Sequence, residues 1–259
     1  MNNNLRIYVC ENSIDSIFTA IYDAWDSRYG HANIRIMEEE NLDNMELFSE
    51  YITVVAQEEK ARKVANSIKT KISEDAYALV CRCALSGTPG RADAIYRFLI
   101  HGYVIGGSII NNVSDPVVHP LFVADRYVNN ETLHYLGFLR FSQLKNSVLF
   151  AKIRPVNDIL VLIADHFSER LTDENWMILD EGRKNAIVHK AREPWFLTDA
   201  SNIDESATKE YSDEERIMQV VWQRFVDTIG IEERTNKKLQ YQMLPNRYRE
   251  FMREVPYKV

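Results

Sequence analysis

The chain has 259 residues, of which 46% are hydrophobic, so it can bury a sizeable core in one large or two small domains. No run approaches the roughly 18 uncharged apolar residues that span a bilayer, and the first residues lack an export signal, which predicts a cytoplasmic protein that does not enter the membrane. The formal net charge of −7 argues against a protein whose whole surface binds phosphates.

Strand and helix patterns alternate over residues 1–72. Apolar runs predict strands, and apolar residues recurring at three- and four-residue intervals predict helices. The strands are expected at Leu5–Cys10, Asn33–Ile36 and Phe48–Val55, and the helices at Ile14–Trp25 and Glu58–Ile72. This order predicts an N-terminal α/β lobe. The lobe has no Gly-x-Gly-x-x-Gly turn, so a Rossmann nucleotide site is not expected.

Residues 73–135 form a helical middle in this interpretation. Ser73 is a suitable N-cap for a helix that continues to Leu85, because acidic residues follow it in the first turn. Further helices are predicted at Ala92–Tyr103 and Val117–Leu136.

Two hairpins around a helix follow. Runs rich in β-branched and aromatic residues predict strands at Leu136–Phe141, Ser147–Ile153, Trp176–Leu179 and Ala186–His189. Between the second and third strands, a helix ending at Leu171 is predicted, with Asn157 or Asp158 as its cap. The result is a ββαββ antiparallel unit, in which Phe167 and Trp176 are expected to be buried where the helix meets the sheet.

The last 61 residues are predicted to form an acidic linker and a basic helical extension. Apolar residues from Ile217 to Ile229 form one face of a helix that is expected to pack back onto the core, and Leu239–Met252 is expected to form two short helices around Pro245. The fold class is therefore α+β. The proposed divisions are residues 1–72, 73–198 and 199–259, with a single domain as the alternative.

Five stretches of sequence carry a resemblance to a known family. They are Gly137-Phe-Leu-Arg-Phe141, Ile153-Arg-Pro-Val-Asn-Asp158, His166-Phe-x-x-Arg170, Trp176-x-Ile-x-Asp180-x-x-Arg183, and Glu233-Arg-Thr-Asn-Lys-Lys-Leu-Gln240 followed by Met243-Leu-Pro-Asn-Arg-Tyr248. From Tyr8 to Tyr248 the chain resembles an uncharacterised bacterial family described as "probable DNA metabolism protein".

The resemblance implies a role in DNA repair or modification. Members of that family are encoded beside a radical-SAM DNA modification or repair enzyme, and some are fused to a uracil-DNA glycosylase-like domain. The implied partner is that radical-SAM enzyme, and DNA is a second candidate partner. The family has no established active site, so none is carried over to this chain.

His166, Asp180 and Arg183 are the candidate catalytic residues. If the end of the central helix lies over the second hairpin turn, these side chains would supply a base, an acid and an anion clamp. In the structural alternative, His166 bonds a carbonyl and Asp180 forms a salt bridge with Arg183 across the turn, as such pairs commonly do.

No metal or cofactor is predicted. The six histidines include no His-x-x-x-His pair, and Cys81 and Cys83 would point about 200° apart on a helix. The cluster-binding cysteine motif of a radical-SAM enzyme is absent, so such chemistry would belong to the partner. The odd number of cysteines, three, favours reduced thiols.

Basic residues are concentrated at the C-terminal end. Residues 231–259 contain seven arginines and lysines and four glutamates, and aromatic side chains are interspersed among them. Such a surface can neutralise phosphates and stack on bases. The nucleic-acid-binding candidates are Arg234, Lys237, Lys238, Tyr241, Arg247 and Tyr248. The alternative is a solvated helix whose aromatic residues anchor it to the core.

Two functions from different classes follow. In the first, the protein is an accessory of DNA repair or modification that works with a radical-SAM enzyme and also binds nucleic acid. In the second, it is a hydrolase or glycosylase-like enzyme that acts on nucleic acid through His166, Asp180 and Arg183. The sequence does not decide whether the protein is an enzyme.

Overall fold

The computed structural model describes residues 5–42, 46–204, 206–231 and 234–252. Helices and sheets are mixed along the chain, which confirms the α+β class. The chain divides into two compact units, residues 1–129 and 130–259. The three-part division at residues 72 and 198 stays a prediction. Among the described residues, no helix combines the length and apolar character needed to cross a membrane.

A three-stranded parallel sheet forms the centre of the first unit. Its strands are β1 (Leu5–Cys10), β2 (Ile34–Glu38) and β3 (Ser49–Thr53), in the order β2-β1-β3. The predicted α/β lobe is thus present. The helix between β1 and β2 carries the chain back to the end of the sheet where β1 began, so the two strands are parallel.

Two helices of the first unit begin with a serine cap, of which Ser73 was predicted. Ser13 accepts a hydrogen bond from the amide of Ser16 at 3.1 Å, and Ser73 accepts one from the amide of Ala76 at 3.0 Å. The helices are α1 (Ile14–Asp26), α2 (Glu58–Lys71), α3 (Glu74–Ala84) and α4 (Arg91–Ile105).

Arg91, the first residue of α4, is a buried cation at the carboxyl end of β2. Its side chain is 1% exposed, and its Nη1 atom lies 3.2 Å from a carboxylate oxygen of Glu40 and 3.7 Å from one of Glu38. Glu38 is also buried and accepts a hydrogen bond from the amide of Ala92 at 2.9 Å. The network fixes the start of α4 against the sheet, since a buried charge is tolerated only when it is paired and hydrogen-bonded.

The long helix α5 (His119–Phe138) corrects one prediction. Leu136–Phe141 was expected to be a strand, but its first three residues continue the helix. The ring of Phe138 stacks on that of His134 at 5.8 Å, one helical turn away, and lies 5.9 Å from the ring of Tyr248, so packing on one helix face outweighs the strand preference of these residues. The strand begins later, as β4 (Ser142–Gln143).

A five-stranded sheet forms the centre of the second unit. After β4 come β5 (Leu149–Ile153), β6 (Trp176–Asp180), β7 (Asn185–His189) and β8 (Phe196–Asp199), the last of which was not predicted. The order in the sheet is β4-β5-β6-β7-β8, and α6 (Leu160–Arg170) connects β5 to β6. β5 and β6 are parallel, whereas the other neighbours are antiparallel, so the prediction of a purely antiparallel sheet was wrong for this pair. A crossover helix makes successive strands parallel.

The contact between α6 and this sheet is as predicted. Trp176 is 0% exposed and Phe167 is 5% exposed, and their ring centroids are 6.5 Å apart. The indole of Trp176 also stacks on the ring of His189 at 5.0 Å. The apolar face of α6 therefore closes the core of the second unit.

The C-terminal helices are α7 (Asp213–Ile229), α8 (Lys237–Met243) and α9 (Asn246–Arg249). The two short helices on either side of Pro245 confirm the prediction. The expectation that α7 packs back was wrong, because none of its described residues is buried. Periodicity specifies an apolar face but not the surface that covers it. Glu233, Arg253 and Lys258, which belong to the predicted motif and basic segment, lie outside the described residues.

Candidate functional site

Asp180 and Arg183 form an ion pair at the turn between β6 and β7. The carboxylate of Asp180 is buried, and the Nη1 atom of Arg183 lies 3.0 Å from its Oδ2 atom. The amides of Gly182 and Arg183 donate to its Oδ1 atom at 2.9 and 3.1 Å. Each carboxylate oxygen thus accepts at least one hydrogen bond from within the turn, as the structural alternative predicts.

Arg183 also holds the loop that follows β5. Its guanidinium donates to the carbonyl of Pro155 at 3.2 Å and to the carbonyl of Val156 at 2.6 Å. A guanidinium presents its donors in a rigid fork, so these bonds fix the loop with respect to the turn.

Glu131, on α5, binds the same loop from its amide side. Its carboxylate is buried and accepts hydrogen bonds from the amides of Val156 and Asn157 at 3.1 and 2.7 Å, and from the side-chain amide of Asn157 at 2.7 Å. Two of these side chains, Glu131 and Arg183, bind the backbone of residues 155–157, and Asp180 pairs with Arg183. We name this group the loop clamp; it consists of Glu131, Asn157, Asp180 and Arg183. Sequence reasoning missed Glu131, because a glutamate in a long helix usually faces solvent.

Asp158 lies beside the loop clamp and was predicted only as a helix cap. Burial raises the pKa of its carboxyl, while the charge of Arg183 lowers it and that of Asp180 raises it further. It also accepts a hydrogen bond from the amide of Leu160, at the first turn of α6. The effect of Arg183 on the pKa of Asp158 depends on the fold, since 25 residues separate the two in sequence.

His166 does not join this cluster. The imidazole is exposed and lies edge-on to the ring of Phe167 at 5.2 Å. Phe167 contacts Trp176, the first residue of β6, whereas Asp180 is the last residue of that strand. Four residues of strand span about 13 Å. The structure brings Asp180 and Arg183 together and places His166 toward the opposite end of β6.

Tyr248 anchors α9 in the second unit. Its side chain is 3% exposed, and its ring lies 4.9 Å from His134, 5.1 Å from Tyr135 and 5.9 Å from Phe138. The ring therefore offers no face for base stacking in this conformation. Arg247 beside it donates to the Tyr248 hydroxyl at 2.6 Å and approaches Glu131 at 3.6 Å, which ties it to the loop clamp.

The other nucleic-acid-binding candidates lie around α8. Arg234, Lys237 and Lys238 are exposed, and within the described ranges none of them forms an ion pair with a carboxylate. Tyr241 is 37% exposed, with the guanidinium of Arg249 at 4.2 Å from the centre of its ring. One face of Tyr241 is thus already covered by a cation. The three exposed cations are the part of the predicted surface that phosphates can reach.

The apolar face of α7 adjoins this segment in sequence. Five of its large apolar side chains lie on one side of the helix and are between 45% and 61% exposed; they are Met218, Val221, Trp222, Phe225 and Ile229. A groove of about 550 Å³ follows, lined by Ile229, Ile231 and Leu239 together with Arg234. Contiguous apolar surface of this kind marks an interaction site, whereas single exposed apolar residues do not.

A family model for a domain of unknown function, DUF4130, matches residues 89–254, which is more than half of the chain. The chain belongs to this family. The loop clamp, the apolar face of α7 and the cations of α8 all lie within the DUF4130 match, as do all the motifs that suggested a family from the sequence.

Comparisons beyond the DUF4130 family add little. No curated protein matches the chain. Among solved structures, one described as a DHH domain of a member of the s1p family of ribosomal proteins is similar at 9% identity, over 73% of this chain and 74% of that one. The TM-score is 0.32, and a likeness at that score supports no conclusion about fold or function.

Proposed function

We propose that this DUF4130 protein is an accessory protein of DNA repair or modification. It binds a radical-SAM partner enzyme through the apolar face of α7 and contacts nucleic acid through the cations around α8. The observation that carries the proposal is the formed but uncovered apolar face of α7. An amphipathic helix gains most of its stability by burying that face, so an exposed one is suited to a partner protein.

The start of α7 explains how the helix forms without cover. Ser212 accepts a hydrogen bond from the amide of Glu215 at 3.1 Å, and Asp213, Glu214 and Glu215 place negative charge in the first turn. Cap and charges both stabilise the amino end of a helix. The helix is thus present in advance, and a partner does not have to order it on binding.

The nucleic-acid contact is electrostatic and local. Arg234, Lys237 and Lys238 present positive charge on a protein whose formal net charge is −7. Binding through three such cations is weak, with a slope of log K against log salt of only about 2–3, and it adds to an affinity supplied mainly by the partner. This division of roles favours an accessory protein.

The enzymatic alternative has weaker support from the site. The carboxylate of Asp180 accepts hydrogen bonds within its own turn, Arg183 holds the 155–157 loop, and His166 lies toward the other end of β6. A base, an acid and an anion clamp must converge on one reacting atom. Activity of the isolated protein on uracil-containing or damaged DNA that is lost in His166→Ala would restore the alternative.

Copurification with the radical-SAM enzyme tests the partner contact. The variant Met218→Gln/Trp222→Gln/Phe225→Gln makes one side of α7 polar while keeping side chains that favour a helix. We expect the wild type to retain the enzyme and this variant to lose at least tenfold in affinity. The control Arg216→Gln/Asp227→Gln changes the side of the same helix opposite to Met218, Trp222 and Phe225 and should bind normally. Equal binding by all three proteins would contradict the docking surface.

Fluorescence anisotropy with single-stranded and duplex oligonucleotides at about 50 mM salt tests the nucleic-acid contact. Neutralising each true phosphate contact among Arg234, Lys237 and Lys238 should flatten the slope of log K against log salt by about 0.7–0.9 and weaken all sequences alike. Arg216→Gln, a charge change on α7, serves as the control. If the triple variant binds as the wild type does, these cations do not contact nucleic acid.

A further inference from the structure

The first unit contains a cavity that the proposed function does not use. Its volume is about 640 Å³, within the roughly 300–1,000 Å³ of typical small-molecule sites. The residues that line it come from the second half of α1 and the residues just after it, from α2 between Lys63 and Lys71, and from the end of α4. None of them belongs to the loop clamp or to α7–α9, so the cavity is separate from the surfaces described above.

Three aromatic side chains form its walls: Tyr22, Trp25 and Tyr103. The indole of Trp25 meets Tyr103 edge-on at 5.2 Å, and on another side it meets the fully buried Tyr96 at 5.6 Å. The hydroxyl of Tyr103 is hydrogen-bonded to Ser67, and burial raises the pKa of that hydroxyl, so it stays a neutral donor and acceptor. The rings are held in place before any ligand arrives, which lowers the entropy lost on binding.

Cations predominate at its rim. Arg28, Lys63 and Lys71 line the cavity against one carboxylate, Asp26. Lys63 lies 5.7 Å from the centre of the Tyr22 ring, and Lys71 lies 6.0 Å from that of Tyr103. Both side chains of the ion pair between Lys63 and Glu59 are exposed, so the pair is weak. The cations therefore stand beside the aromatic faces and can be redirected to a ligand.

The carboxyl ends of α1 and α2 disfavour an anion in the cavity, whereas the cations favour one. α1 ends at Asp26 and α2 ends at Lys71, and the carboxyl end of a helix carries partial negative charge. An anion would be repelled there if the three cations were removed. Lys71, in the last turn of α2, and Arg28, just after α1, outweigh that field. Affinity for an anion should accordingly depend on them more than on cations elsewhere on α2.

Arg28 has the unusual backbone angle φ of 51°, which non-glycine residues rarely adopt. Its side chain also lines an adjoining cavity of about 290 Å³, together with Trp25 and His31. The two cavities share Trp25 and Arg28, so a ligand with two parts can place one beside the indole and the other at the guanidinium.

From these features we propose that the cavity binds a nucleotide, with the base against Trp25 and Tyr103 and the phosphate at Arg28, Lys63 and Lys71. Flat aromatic rings bind any base through its π-face, and cations supply the phosphate contact. The same chemistry is presented by a free mononucleotide and by the 5′-phosphorylated end of a strand. The inference does not depend on partner binding by α7.

Isothermal titration calorimetry on the full chain tests the site with a nucleoside 5′-monophosphate, the matching nucleoside and inorganic phosphate. We expect the monophosphate to bind at least tenfold more tightly than either part alone. Lys63→Gln/Lys71→Gln should weaken it at least tenfold, because both side chains are exposed and their loss leaves the core intact. Arg62→Gln/Lys69→Gln removes the same charge from α2 outside the cavity and should change affinity less than twofold.

Binding of a phosphorylated nucleic-acid end is tested in the variant Lys237→Gln/Lys238→Gln. This background removes cations of α8, so that they do not bind the oligonucleotide. If a 5′-phosphorylated tetranucleotide binds more tightly than the monophosphate, and Lys63→Gln/Lys71→Gln removes that binding, the site is assigned to strand ends. If the two bind equally well, the site is assigned to free nucleotides. Trp25→Phe, which keeps a ring in the wall, should weaken the monophosphate more than inorganic phosphate. No binding of either nucleotide at about 1 mM, or equal losses in both lysine and control variants, would overturn the proposal.

Discussion

Two amphipathic helices of the second unit, α6 and α7, have opposite environments. α6 buries Leu160, Ile163, Ala164 and Phe167 against the five-stranded sheet. α7 has a comparable apolar face, yet Met218, Trp222 and Phe225 remain about half exposed. The two helices differ in what their apolar side chains touch. An apolar face shows that a helix needs a cover, and only the fold shows whether the chain supplies it.

The largest expected effect breaks the covered helix. Phe167→Ala removes a buried ring from the contact with Trp176 and should lower the free energy of unfolding by about 3–5 kcal/mol. Urea denaturation measures it. A loss below about 1 kcal/mol would mean that α6 does not depend on this contact.

The loop clamp should give a smaller effect. Glu131→Gln keeps the shape of the side chain but replaces one acceptor oxygen by a donor, so an amide of the 155–157 loop loses its partner. We expect a loss of about 1–3 kcal/mol in the same assay. Arg247→Gln is the control, since its contact with Glu131 is 3.6 Å long and Arg247 is half exposed. Equal losses in the two variants would place the energy in the ion pair instead.

Asp158 predicts a pH effect. Burial raises the pKa of its carboxyl above the ordinary 3.8, so the folded state binds this proton more tightly than the unfolded state does. The resulting stabilisation is complete below pH 3.8 and is lost as pH rises through the folded pKa. Asp158→Asn should remove that loss. Stability curves of the two proteins should thus diverge as pH rises above 3.8, and parallel curves would contradict the raised pKa.

The smallest expected effect concerns the uncovered helix. Phe225→Ala should change the free energy of unfolding by less than about 0.5 kcal/mol, because the ring is already half in water. Repeating the urea denaturation with the partner enzyme present sharpens the comparison. If α7 is the docking surface, Phe225→Ala should then lose part of the extra stability that the partner confers. A loss of several kcal/mol in the isolated protein would mean that Phe225 is covered within the chain.

Sequence reasoning succeeded where the information is local. The strand Leu5–Cys10, the cap Ser73 and the burial of Trp176 follow from pattern, capping chemistry and residue type. It failed where distant residues decide. The parallel pairing of β5 with β6 depends on a crossover, and the helix that includes Leu136–Phe138 packs Phe138 against the distant Tyr248.

The candidate site divides in the same way. Asp180 and Arg183 are three residues apart, so their pairing was foreseeable from the sequence. Glu131 lies 26 residues from Asn157, and no local pattern connects the two. Tyr248 was foreseen both as a stacking face and as an anchor, and its burial among three rings of α5 supports the anchor.

The network of Arg91 limits how the protein can be dissected. The DUF4130 match begins at residue 89, two residues before Arg91, whereas Glu38 and Glu40 lie far upstream of it. A fragment that began at the family boundary would keep the buried guanidinium of Arg91 and lack the carboxylates of Glu38 and Glu40 that pair with it. A cut at residue 129 would instead divide α5 within its length. Neither boundary yields a self-contained module, so residues 89–129 tie the family segment to the sheet that precedes it.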